Sequence, residues 1–194
     1  MSAVKVMTYA PPPICDSEVL RYAKGARESA TEELLRLAKE EADSGFSYRV
    51  CYTECGISVM GSTVDFGFFK TESQSLAKNL SGCTGAIIFA ATVGIGIDRL
   101  IMKYSRLSPA RALMLGALGA ERIEALCDKF CGDIKSERGK VRPRFSAGYG
   151  DLSLEVQRDI FRLLNPPAKI GLSLTDSMLM SPTKSVTAFI GIED

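Results

Sequence analysis

Histidine and tryptophan are both absent from this 194-residue sequence, and apolar runs are short. Without histidine, a mixed cysteine and histidine metal site cannot be assembled. The longest apolar run, 85–97, has only about a dozen residues and contains glycines, against the roughly 20 that a helical membrane span requires. The opening residues, Met1-Ser2-Ala3-Val4-Lys5, hold no apolar signal core, which sets the expectation of a cytoplasmic protein without membrane attachment. A charge bias is lacking too. The 24 Lys and Arg against 23 Asp and Glu leave a net charge of +1, interleaved along the chain, so no field exists to gather nucleic acid or an anionic surface.

What is present is an ordinary globular composition, 46% hydrophobic and 24% charged. It suffices for a substantial core, and with no linker, repeat or low-complexity stretch the expectation is one domain over 1–194. Six cysteines without an export signal read as free thiols. Cys51 and Cys55 share one face of an expected strand but lie about 13 Å apart at ~3.3 Å per residue, too far for one metal ion. Cys127 and Cys131 share a face of an expected helix with Leu126, Phe130 and Ile134, where small core residues are expected. A cysteine-based redox or metal protein stays open as a lesser alternative.

The spacing predicts a strand at Lys5–Tyr9, a helix from Asp16 as its cap to Lys24, and an amphipathic helix opened by a capping box at Ser29-Ala30-Thr31-Glu32 and closed at Gly45. From Phe46 to Phe69 the period becomes two, with Val64, Phe66 and Phe68 alternating against polar residues and a hairpin break at Gly61-Ser62. Thr71-Glu72-Ser73-Gln74 is expected to cap a short helix through Leu80, and Ala86–Ala91 reads as a fully buried strand in the middle of a sheet. Ser108-Pro109 opens the longest helix, running to about Ser136. Its alanines and glycines, among them Gly116 and Gly119, imply close packing. After Gly139 the chain runs extended to Arg144, then forms a helix at Leu152–Leu164 and strands at Ile170–Leu174 and Ser185–Ile192. These elements make an α+β protein with antiparallel pairing.

Two loops carry candidate chemistry. In Thr92-Val93-Gly94-Ile95-Gly96-Ile97-Asp98-Arg99, Arg99 stands where a dinucleotide fingerprint needs a small residue, and no Gly-Lys-Ser/Thr follows. A tight strand-to-helix turn is expected instead of a phosphate cradle. The second loop is Arg144-Phe145-Ser146-Ala147-Gly148-Tyr149. It combines a permanently charged fork that fits a carboxylate, a glycine that admits close backbone approach, and a phenol with a flat apolar face. Such a loop suits a small zwitterion or a nucleoside. The polar turn Thr175-Asp176-Ser177 lies close enough in sequence to fold beside it.

Arg144 to Tyr149 resembles the Arg-x-x-x-Gly-Tyr signature of the activation domain of cobalamin-dependent methionine synthase. The downstream order agrees: a helix, Gly171-Leu172-Ser173-Leu174-Thr175-Asp176-Ser177, Met180-Ser181-Pro182, and Ser185-Val186. The resemblance is most specific over Arg138 to Asp194. It implies a curved single domain in which a twisted, mainly antiparallel sheet is flanked by helices. It also implies binding of S-adenosylmethionine by Arg144, Ser146, Gly148 and Tyr149, with no catalytic residue and no metal of its own. The family's role is reductive remethylation after the cobalt of cobalamin has oxidised, with an electron donor such as flavodoxin. Cobalamin would then be reached only through a partner, a cobalamin-binding methionine synthase or another corrinoid protein. The resemblance further places a tyrosine pair and a helical tail after the Ser-Val strand, which this sequence does not show, so weak or partner-dependent binding is the expectation. The alternative is a docking subunit of a corrinoid protein that does not bind S-adenosylmethionine.

Overall fold

A computed structural model of the chain describes residues 2–24 and 29–193, with backbone alone at 29 and 30. Strand β1 (Lys5–Tyr9) is followed by helices α1 (Asp16–Ala23) and α2 (Ser29–Ala42) and strand β2 (Tyr48–Gly56). The short strands β3 (Ser58–Met60), β4 (Thr63–Asp65) and β5 (Lys70–Glu72) precede helix α3 (Gln74–Asn79) and strand β6 (Gly85–Thr92). Then come α4 (Gly96–Leu107), α5 (Pro109–Arg138), α6 (Val156–Leu164), α7 (Pro166–Ile170), β7 (Ser173–Leu174), β8 (Met180–Ser181) and β9 (Ser185–Ile192). The main sheet has the order β1-β2-β6-β9 and is antiparallel throughout.

Strand β6 shows why the expected architecture forms. Successive side chains point to opposite faces, so Ile87, Phe89 and Ala91 join one core with α1, α2, α4 and α5, while Ala86, Ile88 and Ala90 join another with α3, α6 and α7. Both faces are covered, which is why this strand is apolar at every position instead of alternating. Cys51 and Cys55 are buried in the second core and Cys127 in the first. Burial pushes the Cys51 and Cys55 thiols each up to about 11.

The long helix spans Pro109–Arg138, close to the expected bounds, and ends at Gly139, whose φ of 80° suits glycine. The expected close packing holds at Gly119, where an added Cβ would lie 3.0 Å from Lys184 and 3.1 Å from Ile97, but not at Gly116, which faces open space. The Gly94 to Asp98 segment is the expected tight turn. A Cβ at Gly96 would fall 2.1 Å from the Gly45 carbonyl oxygen, so backbone proximity accounts for this glycine.

Several boundaries differ from expectation. Cys15, not Asp16, takes the cap position of α1 and its N–H donates to Glu121, while Asp16 sits in the first turn. The capping box expected at Ser29 lies outside the described side chains. The hairpin turns at Gly61-Ser62 as expected, with Met60 opposite Thr63. The alternation does not continue as a strand to Phe68, because the Asp65 carboxylate accepts the Gly67 N–H at 2.8 Å and the Phe66 N–H bonds the Phe69 carbonyl, closing a turn. Helix α6 starts at Val156, four residues later than read, since Leu152 is spent in turns with Gly148 and Tyr149. Pro166-Pro167 do not simply stop the chain. Prolines suit a first helical turn, and α7 takes up Ile170, leaving only Ser173–Leu174 of the expected strand.

Candidate functional site

Past Gly139 the chain returns along the outer edge of β9. Val141 pairs with Ile192 and Phe145 with Phe189, both antiparallel. Beyond Phe145 the chain leaves that edge as the Arg144 to Tyr149 loop turns outward. The gap it leaves is a cavity of about 300 Å³. Its walls are Glu124 of α5, Arg144 to Ala147 and Tyr149 of the loop, Gln157 of α6, Met180 of β8, and Ser185 to Thr187 of β9. Because α5 and α6 pack on opposite faces of the sheet, the cavity wraps the free edge of β9.

The loop's shape follows from its residues. Gly148 adopts φ 87°, a conformation that side-chain-bearing residues rarely take, and its N–H donates to the Leu152 carbonyl at 2.9 Å. Tyr149 is exposed at the rim, 67% accessible, with its ring edge-on to Phe145 at 6.4 Å. Asp151 anchors the loop's far end. Its carboxylate accepts from Ser73 Oγ at 2.5 Å and from the N–H groups of Gln74 and Ser75 at 2.7 and 3.1 Å. These bonds hold it well below the usual aspartate range. Gly150 completes the anchor, because a Cβ there would lie 2.6 Å from Ser75 Oγ.

Arg144 is not isolated in this cavity. Its Nη2 donates to Glu124 and its Nη1 to Asp128, each at 2.5 Å. The two acids stand four apart on α5 and therefore share a face. Burial opposes the guanidinium's charge, but the bond to Asp128 and the Glu124 charge outweigh it and raise its pKa. A third N–H reaches Cys131 Sγ at 4.0 Å, and these partners orient the fork without exhausting it, since a guanidinium has five N–H donors. Of the two acids only Glu124 lines the cavity beside Arg144, so the charged lining groups balance.

Of the sequence-predicted residues, Arg144, Ser146 and Tyr149 line the cavity, and Gly148 shapes the loop without lining it. The Thr175 to Ser177 turn stays outside. Thr175 Oγ1 lies 3.0 Å from Ser177 Oγ and accepts the Leu179 N–H, so the turn is satisfied by its own side chains, and only the adjoining Met180 reaches the cavity. The Gly94 to Asp98 turn does not line it either. Sequence reasoning missed Gln157. It follows Val156 and precedes Ile160 by three and Leu164 by seven, so the helical period places a polar residue on a buried stripe, a signal that was available. The residue is 5% exposed, and its Oε1 is buried without a hydrogen-bond partner. Among the described residues no group of three His, Cys, Asp or Glu is arranged to hold a metal ion, and no helix is long and apolar enough to cross a membrane.

Fold and cavity together define an α+β domain with a cavity at the free edge of an antiparallel sheet. The chain belongs to the family of the vitamin B12 dependent methionine synthase activation domain, whose model matches residues 74–194. No curated protein matches the sequence. Among solved structures, the chain is similar to the MetH reactivation domain bound to AdoHcy, with a TM-score of 0.77 and 14% identity over 98% of this chain and 78% of that one. The likeness extends the shared fold upstream of the family match, to the strands and helices before residue 74.

Proposed function

We propose that residues 1–194 act as one unit that binds S-adenosylmethionine in the β9-edge cavity and presents it to a separate cobalamin-bearing methionine synthase or corrinoid protein. The observation that carries this reading is the cavity itself. Within a chain of this family, it gathers the Arg144 loop, a carboxylate and an unpaired buried acceptor around a volume at the lower end of small-ligand sites, roughly 300–1,000 Å³. When bound, S-adenosylmethionine supplies a methyl group. The chain's residues supply placement, so their contribution is proximity.

In this reading the free donors of Arg144 take the ligand's carboxylate, Glu124 and Asp128 keep the fork in place, and the Ser146 backbone and Tyr149 ring cover one side. Tyr149, Leu154 and Leu179 leave apolar surface on the loops around the cavity, which suits a partner seated over its mouth. A cytoplasmic setting and a flavodoxin-like electron donor belong to the same proposal.

A second reading, a docking subunit that binds no S-adenosylmethionine, draws on the pairing of Arg144 with its two acids. Calorimetric titration decides between them. Wild type is expected to bind S-adenosylmethionine, and Arg144→Lys, which keeps the charge but loses the planar fork, to bind at least about tenfold more weakly with little change in thermal midpoint. Absence of binding by wild type, or equal binding by the variant, overturns the first reading.

A further inference from the structure

Lys184, the residue before β9, is half-buried and stands outside the cavity. Its backbone is fixed, since its carbonyl accepts the Val93 N–H at 3.1 Å. Its stem lies against α4 and α5. A Cβ added at Gly119 would fall 3.0 and 3.1 Å from Lys184 Cγ and Cε and 3.1 Å from Ile97 Cγ1, so the glycine makes the seat for this side chain. The Lys184 ammonium has no hydrogen bond or ion pair among the described residues, yet Nζ keeps solvent access. The acid that faces it is Asp98 of α4, whose two oxygens are taken by the Thr183 N–H at 2.7 Å and the Thr183 hydroxyl at 2.5 Å. From α5, Gly116 and Ala120 share the face of Gly119 and bring no charge, and the space at Gly116 is open. An amine held on apolar surface without a counter-ion loses its proton more readily. Burial accordingly lowers the Lys184 pKa, with Asp98 only partly opposing it.

We propose that Lys184 is a site of acyl modification, its free amine taking the acyl group of an acyl phosphate. The amine nitrogen attacks the carbonyl carbon. A carbon–nitrogen bond forms as the carbon–oxygen bond to phosphate breaks, and the amine proton leaves with the phosphate. Removal from water activates a lysine as a nucleophile in this way. An anionic donor fits the surroundings, because Arg99 and Arg106 of α4 also lack an ion pair among the described residues, whereas Lys103 and Arg111 are held by Glu41. Acylation leaves the stem on Gly119 and cancels one of these unpaired positive charges.

Acetyl phosphate is the probe. The full chain is treated with it at neutral pH, folded and in urea, and acetylation of each lysine is followed by peptide mass spectrometry. The ratio of folded to unfolded rate is expected to be at least about threefold higher at Lys184 than at Lys103 and Lys129, whose ammonium groups are held by Glu41 and Asp133, because the free-amine fraction sets the rate. The rate at Lys184 should also level off at a lower pH than theirs. Gly119→Ala favours helix but puts a methyl where the stem lies, and it should bring Lys184 to the rate of the other two lysines. A ratio at Lys184 no higher than at Lys103 and Lys129 overturns the inference, as does a folded Gly119→Ala variant that keeps the excess. If that variant does not fold, the wild-type ratio decides alone.

Discussion

Replacing Arg122 by methionine removes the cation from the most enclosed ion pair among the described residues. Arg122 and Glu121 are 1% and 4% exposed, and the guanidinium bonds both Glu121 oxygens at 2.5 and 2.6 Å. It also donates to the carbonyls of Pro12 and Pro13 at 2.5 and 2.7 Å, while Glu121 accepts the Cys15 N–H at 3.1 Å. One pair of side chains thus clamps the proline segment between β1 and α1 onto the long helix. Arg122→Met strands a buried carboxylate, which costs about 3–5 kcal/mol. That corresponds to a fall in thermal midpoint of about 6–20 °C for a chain of this size. The double variant Glu121→Leu/Arg122→Met removes both charges, strands no carboxylate, and loses the bonds to the two carbonyls and one N–H, roughly 0.5–1.5 kcal/mol each. Both replacements favour helix. Urea denaturation with a common slope gives the comparison, and hydrogen exchange over 10–15 reports release of the clamp. A single variant within about 1 kcal/mol of wild type, or a double variant as unstable as the single, refutes the reasoning.

The Asp151 anchor predicts an acid dependence. Its folded pKa is depressed, so its stabilisation is present above the ordinary aspartate value of about 3.9 and is lost as the pH falls below it. The stability difference between wild type and Asp151→Asn should therefore shrink on acidification through that range in a series of denaturation curves, and a difference that stays constant speaks against the anchor. The thiols should separate by burial. Cys15 is exposed, whereas Cys51, Cys55 and Cys127 are buried with raised pKa values. Mass spectrometry after brief native alkylation should find Cys15 modified first and these three only after unfolding. Rapid native modification of Cys127 would contradict its place in the core.

Much of the chain could be read from local pattern. The bounds of β1 and β9, the extent of the long helix, the buried strand at the centre of the sheet and the Gly61-Ser62 turn all follow from periodicity and turn chemistry. Reading failed where local rules had more than one outcome. Two consecutive prolines end one helix and equally well begin another, as Pro166-Pro167 do. Alternating phenylalanines read as a strand until the Asp65 carboxylate closes a turn on Gly67. For the site, the loop was legible because Arg144 to Tyr149 is contiguous.

The sequence by itself determined the α+β character, the free thiols and the family, because those depend on composition, period and short motifs. Only the tertiary structure decided where the loop's chemistry is spent. Glu124 and Asp128 stand 20 and 16 residues before Arg144 yet meet its guanidinium, since α5 and the edge of β9 bring them together. Gln157 comes to the cavity from α6, which packs on the opposite face of the sheet from α5. Strand register and helix packing are non-local, and a one-residue slip of β9 would exchange the side chains its two faces present.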